Sequence, residues 1–218
     1  MQHTPGYTIA DIWNLFYTKL FVIVCGLGIL PLLFFEKWTI VLFINKYIPS
    51  HRLDSFFMYY TDTALGGTYV LLAIIVIFFS YRKAAMIAIS GILILIVSMI
   101  CKHLLFGGFD RPTAEIPNEQ LHHIIEGFRY ARHNSFPSGH TMSAFGLATI
   151  FSFFSSKKYV HIALLIYAIS IAFSRMYLLQ HFYVDVFVGA IIGYSIAITV
   201  ILFQKAFHKI PQFGILTK

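Results

Sequence analysis

Long apolar runs broken by short polar stretches dominate the chain. Residues 8–20 set Ile9, Ile12, Trp13, Phe16 and Leu20 at helical spacing beside Asp11, Asn14 and Lys19, which predicts an amphipathic helix lying at a membrane surface. Apolar stretches able to cross a bilayer follow at about 18–35, 60–80, 84–106, 139–155, 159–179 and 184–205. Between the first two, residues 36–55 carry Glu36, Lys37, Lys46, Pro49, His51 and Arg52 around a short apolar run, and read as an interfacial turn and helix. Gly107-Gly108 closes the third span and opens a polar loop that runs to 137. No repeat or low-complexity tract interrupts the pattern. It predicts a single all-α membrane domain over 1–218, a six-transmembrane-helix bundle with an N-terminal amphipathic interfacial helix.

Composition agrees with this pattern. The chain is 58% hydrophobic, 17% aromatic and 11% charged, against roughly 25% charged residues in a soluble domain. The net charge of +7 does not point to nucleic acid, because much of it flanks the apolar runs, where it acts as a topological signal. Lys19, Arg82, Lys83, Lys157, Lys158, Lys205 and Lys209 fall on the side that holds both termini, and the positive-inside rule makes that side cytoplasmic. Cys25 and Cys101 lie in or at the end of apolar runs, with neither disulfide nor metal spacing, and read as packing residues. Trp13 and Tyr59-Tyr60 read as interface anchors.

Chemistry concentrates on the opposite side, in three clusters at span ends. Lys102 precedes Asp110-Arg111-Pro112; Pro137-Ser138-Gly139-His140 opens the fourth span; Arg175, His181 and Asp185 join the fifth to the sixth. Ionisable groups in apolar sequence are costly and imply function. On a helix, His181 and Asp185 would share a face at i and i+4, so the carboxylate could orient one imidazole nitrogen and leave the other free. Arg175 can clamp an anion. Ser138 reads as a helix N-cap, Gly139 allows close backbone approach, and a helix N-terminus favours anions. His140 on that first turn could act as a general acid. Together these groups describe a phosphoryl-transfer site built without a metal. His122, His123 and His133 are too loosely spaced for a metal site and read as solvated loop residues. Two other classes compete. A transporter would place its charges nearer the midplane and show repeated, discontinuous helices. A non-catalytic lipid-phosphate-binding protein would be expected to lack His140, His181 or Asp185.

Pro137-Ser138-Gly139-His140 followed by Ser174-Arg175, five residues, His181, three residues and Asp185 resembles the type 2 phosphatidic acid phosphatase superfamily of membrane lipid phosphatases. The second and third motifs match in full. The first departs: the family places six residues between Lys and Arg-Pro, and here eight separate Lys102 from Arg111-Pro112. On an unbroken helix Lys102 and Arg111 would point nearly apart. Either Gly107-Gly108 bends the chain enough to bring Lys102 in, or His103 substitutes. The resemblance implies His181 as the nucleophile that forms a phosphohistidine, Asp185 as its partner, and His140 as the acid that protonates the leaving oxygen and later activates water. It implies Lys102, Arg111, Ser138, Gly139 and Arg175 as the phosphate-binding set, with no metal and no cofactor. The implied partner is a membrane lipid phosphate in the bilayer: a polyprenyl pyrophosphate, phosphatidylglycerol phosphate, phosphatidate or a lipid A phosphate. The implied setting is the bacterial cytoplasmic (inner) membrane, with the site expected to face the periplasm or cell exterior. The 113–135 loop, which carries Glu115, Glu119, Glu126, Arg129 and Arg132, is expected to set selectivity.

Overall fold

A computed structural model of the chain describes residues 8–204 and 210–217, and every regular element among them is helical. The expected Lys205 and Lys209 charges and the last residue of the sixth span lie outside the described residues. Thr8 starts α1 (Ile9–Asn14) through a capping box: its hydroxyl accepts the Asp11 N–H, and the Asp11 carboxylate takes the Thr8 N–H at 2.7 Å. Leu15 then turns extended, with ψ 123°, and α2 (Phe16–Phe34) begins. The amphipathic stretch predicted as one helix is therefore two, and its second half belongs to a bilayer-length helix.

Residues 36–55 form more structure than a turn and one helix. They hold α3 (Thr39–Tyr47) and the start of α4 (His51–Tyr60), which Ser50 caps through the Leu53 N–H. The expected unbroken span at 60–80 is also broken. A 3₁₀ turn, Thr61–Ala64, follows α4, and α5 (Gly66–Ile77) leaves it at a 58° bend. Leu65 is extended with ψ 159°, and Gly66-Gly67 supplies little helix propensity to carry the helix through.

The remaining helices are α6 (Tyr81–Ile100), α7 (Pro112–Glu115), α8 (Gly139–Phe153), α9 (Lys158–Tyr177) and α10 (Tyr183–Leu202). The last turn of α6 continues as a π-helix, Cys101–Leu105, closed by the Phe106 N–H on the Cys101 carbonyl at 2.7 Å. Four helices are long and apolar enough to cross a bilayer: Phe16–Phe34, Tyr81–Leu105, Lys158–Tyr177 and Tyr183–Leu202. The bent pair His51–Ala64 and Gly66–Ile77 adds a fifth candidate. Their outward faces bear Leu33, Val70, Leu95 and Ile166, each more than half exposed. Such a surface suits lipid and not water. The protein is a multi-pass membrane protein.

Helix α8 is the axis of the bundle. Eleven of its 15 residues are buried, so its length is matched to protein neighbours, and lipid thickness does not constrain it. Its closest neighbour is α10, and small residues set the contact. A Cβ on Gly189 would stand 2.8 Å from the Ser138 carbonyl oxygen, and one on Gly193 would collide with the Met142 backbone. Close approach of this kind is the usual way helices associate in lipid. Here it also fixes where the start of α8 meets the start of α10.

Candidate functional site

The sequence clusters meet where α8 and α10 begin. The Ser138 N–H donates to the Asp185 carbonyl at 3.0 Å, which joins the second motif to the third through backbone. Ser138 caps α8 as expected: its hydroxyl accepts the Thr141 N–H and the Thr141 hydroxyl, at 3.4 and 2.9 Å. Gly139 leaves room at this corner, since a Cβ there would lie 3.3 Å from Ser98 Oγ and 3.7 Å from Lys102 Nζ.

His181 and Asp185 are paired, but not as two residues of one helix. His181 lies in the turn before α10, Phe182 is the N-cap, and Asp185 occupies the third helical position. The Asp185 carboxylate turns back to accept the Phe182 N–H at 2.9 Å, as a capping-box acid does. The same oxygen, Oδ2, accepts the Ser135 hydroxyl and stands 3.4 Å from His181 Nδ1. That separation is a charge contact, outside directed hydrogen-bond geometry, and Nδ1 has no hydrogen-bond partner among the described residues. The turn that presents His181 is held by Gln180 and His181 N–H groups on the Arg175 carbonyl, at 2.9 and 3.2 Å. Leu179 supports it with φ +53°, a conformation few non-glycine residues adopt.

The cations converge on the same point. Arg111 donates from Nη1 to Gln180 Oε1 at 2.8 Å and from Nε to the His133 carbonyl at 2.9 Å, which ties the long loop to the His181 turn. Arg175 is buried; its Nη1 donates to Thr61 Oγ1 at 2.9 Å, while Nε has no partner among the described residues. Lys102 is half-buried and within electrostatic range of Arg111, Arg175 and Asp185, whereas the alternative, His103, is exposed. The π turn explains how a longer first motif still converges. It adds a residue to the last turn of α6, and the chain then reverses over Gly107-Gly108. Asn134 packs against the reversal, where its side-chain amide, turned to present nitrogen, can donate to the Lys102 and Gly107 carbonyls at 3.3 and 3.0 Å. His140 lies within electrostatic range of Arg175, His181, Lys102 and Arg111.

Burial, and then Arg111, Arg175 and Lys102, hold the His181 imidazole well below the usual histidine range. It is neutral at pH 7, the form a nucleophile needs. Among the described residues, Arg175 Nε, Gln180 Nε2 and His181 Nδ1 are buried polar atoms without a hydrogen-bond partner. Each such atom costs about 1–3 kcal/mol, and all three fall in one seven-residue turn, Arg175 to His181. An anion bound there would satisfy the Arg175 and Gln180 donors, while His181 Nδ1 is turned toward Asp185.

Sequence reasoning missed Ser135, Gln180, Asn134, Thr61 and Gly189. Gln180 carried a signal, as a polar residue beside His181 in an apolar run. Ser135 and Asn134 are ordinary loop residues in sequence. The loop histidines also differ from expectation. His123 is not solvated: Nε2 meets Asp54 Oδ1 at 3.0 Å, the same oxygen accepts the Tyr177 hydroxyl at 2.6 Å, and Asn45 brackets the His123 backbone. His133 Nδ1 pairs with Asp110 at 2.5 Å, and His122 is exposed. Among the described residues no three His, Cys, Asp or Glu side chains gather as a metal-binding group.

A bundle of apolar helices that gathers three cations, two histidines and a helix N-terminus at one end is built as a membrane phosphatase. Residues 84–209 match the profile of the PAP2 superfamily, and the chain belongs to that superfamily. It is 31% identical over 168 residues to phosphatidylglycerophosphatase B of Bacillus subtilis (strain 168), an alignment covering 69% of this chain and 74% of that protein. Its fold is similar to the crystal structure of Aquifex aeolicus LpxE, with a TM-score of 0.65 and 27% identity, over 78% of this chain and 98% of that one. The family resemblance read from the motifs is thus borne out, and the chain is a membrane lipid phosphatase of the PAP2 type.

Proposed function

We propose that the chain hydrolyses a phosphate monoester or pyrophosphate of a membrane lipid through a phosphohistidine on His181. The observation that carries this reading is the convergence of the three motifs at the α8–α10 corner, with donors left over for an anion. His181 Nε2 attacks phosphorus, the bond to the leaving oxygen breaks, and His140 gives that oxygen a proton. Nδ1–H then faces the Asp185 carboxylate, which stabilises the imidazolium. In the second step His140 takes a proton from water, the hydroxide attacks phosphorus, and the P–N bond breaks. Lys102, Arg111, Arg175 and the Ser138–Gly139 backbone hold the phosphoryl oxygens, and these fixed charges account for most of the catalysis. We read the chemistry as metal-independent, because three cations already face the dianion. The test is phosphate release by the purified protein from phosphatidate, phosphatidylglycerol phosphate, a polyprenyl pyrophosphate and lipid A, each with EDTA present. Turnover of at least one lipid is expected; release that stops with EDTA and returns with magnesium would contradict the metal-free part.

The bilayer arrangement belongs to the same proposal. Counting α8 and the bent α4–α5 unit with the four long helices gives six passes, with α1 at the interface and both ends of the chain in the cytoplasm. The site then faces the periplasm or cell exterior from a bacterial inner membrane. A cysteine at Asn118, in a background lacking Cys25 and Cys101, should react with an impermeant maleimide in spheroplasts, and one at Lys157 should not. The reverse pattern would place the site inside.

A further inference from the structure

Gly66-Gly67 permits the break between α4 and α5, and α9 holds it in place. The Tyr167 hydroxyl donates to the Thr63 carbonyl at 3.1 Å, and the Thr63 hydroxyl donates to the Tyr60 carbonyl at 2.7 Å. Tyr60 Oη lies 2.6 Å from Ser170 Oγ. Ala64, 1% exposed, closes the turn in one apolar cluster with Ala144 of α8 and Ala168 of α9. Non-helical backbone within a bilayer span leaves polar groups that lipid cannot satisfy, so it persists only where protein or a cavity meets them. Side chains of α9 meet them here, which makes the break a built feature of the fold.

The turn delivers one side chain to the phosphate site. Thr61 is 3% exposed, and its Oγ1 accepts Arg175 Nη1 at 2.9 Å. Among the described residues this is the one hydrogen bond made by the Arg175 guanidinium. A guanidinium carries its N–H groups in one fixed plane, so a bond at Nη1 sets how the rest of the group is turned. The edge left over is Nε with Nη2, which can grip an oxyanion with two parallel hydrogen bonds. Nε is buried and unpartnered among the described residues. The fold thus satisfies one end of the group and leaves the gripping edge open. Asp62, next in the chain, is exposed and within electrostatic range of Arg175. It adds attraction without fixing a direction.

We propose that Thr61 is a positioning residue for the phosphatase reaction: the broken span brings its hydroxyl to Arg175, and that bond aims the Nε–Nη2 edge at the phosphoryl oxygens. This rests on the lipid phosphatase reading above and deepens it, by adding to the site a residue outside the three motifs. Thr61 also precedes residue 84, where the match to the superfamily profile begins.

The test compares wild type, Thr61→Val, Thr61→Ser and Asp62→Asn in detergent micelles. Two quantities are read: kcat/KM on a lipid that the wild type turns over, and affinity for orthovanadate. Vanadate resembles the in-line transition state, and its binding is read from the rise in thermal midpoint with concentration, without turnover. Thr61→Val keeps the shape and removes the acceptor. Both quantities should fall about tenfold, the scale of one charge-assisted hydrogen bond. Thr61→Ser should stay within about threefold on both, as should Asp62→Asn. If Thr61→Val does not accumulate in the membrane, Thr61→Cys replaces it, because a thiol is a weak acceptor; a loss of about fivefold is then expected, and less than about twofold overturns the proposal. A lower thermal midpoint in Thr61→Val with both quantities unchanged makes the hydroxyl structural and overturns it. So does a Thr61→Ser variant as damaged as Thr61→Val, or a larger loss from Asp62→Asn, which would mean that charge and not the hydroxyl holds Arg175. Wild type that turns over no lipid would instead sink the lipid phosphatase reading, so the two failures are distinguishable.

Discussion

Asp185 Oδ2 stands 3.4 Å from His181 Nδ1 while accepting the Phe182 N–H and the Ser135 hydroxyl. The carboxylate is therefore fixed before any proton moves, and in the proposed mechanism Nε2 is the nitrogen that attacks. Asp185→Asn keeps the shape and removes the charge that stabilises an imidazolium. By analogy with the acid of a catalytic triad, turnover should fall by about 10²–10⁴. Ser135→Ala removes one hydrogen bond from the same oxygen and should cost about three- to thirtyfold. A loss below about threefold in Asp185→Asn, measured as kcat on any lipid the wild type turns over, would reduce Asp185 to a helix cap.

The π turn decides between Lys102 and His103. Lys102 faces the site and His103 faces out. Lys102→Ala should slow turnover by roughly ten- to a hundredfold, the loss of one charge-assisted contact, and His103→Ala should change it by less than about twofold. The opposite ranking would mean that the helix end rearranges around substrate.

Gly189 is where packing touches chemistry. A methyl group there would stand 2.8 Å from the Ser138 carbonyl, and backbone cannot give way as a side chain can. Gly189→Ala should lower the thermal midpoint, on the scale of about 1–3 kcal/mol for an overpacked contact, and lower kcat by tenfold or more by moving the α8 N-terminus. Gly26→Ala, on α2 with nothing within 4 Å of the added carbon, should leave both unchanged. Equal behaviour of the two variants would remove close packing from the account.

His181 links stability to pH. Its folded value is depressed by burial and neighbouring cations, so below about pH 6.5, the unfolded value, the unfolded chain binds a proton that the folded chain refuses. Stability then falls as pH falls, by at most about 1.4 kcal/mol per pH unit from this group, until the folded value is reached. His181→Gln lacks that linkage. Its thermal midpoint should fall less than that of wild type between pH 6.5 and 4.5; parallel curves would show that the imidazole is not held neutral.

Motif chemistry was legible because ionisable residues stand out against apolar sequence: His140, Arg175, His181 and Asp185 could be picked without a structure. The reason offered for the His181–Asp185 pair was only half right. Spacing of four suggested one helix face, but the contact comes from a capping carboxylate folding back over its own N-cap. Lys102 and Arg111 looked mismatched because a π turn leaves little trace in residue types. Ser135, Gln180 and Asn134 were beyond reach for a related reason, since their roles arise from where a long loop is tied down and not from periodicity. The broken second span failed differently: Gly66-Gly67 was visible, yet hydropathy averaged across it.

The central claim is that His181 carries the phosphoryl group. Wild type, given a ³²P-labelled lipid phosphate and quenched during turnover, should hold label that is stable in base and released by acid, and proteolysis should place it on the peptide containing His181. His181→Ala should remain folded in the membrane, take up no label and turn over no lipid. Base-labile label, label on another peptide, or normal turnover by His181→Ala would contradict the mechanism.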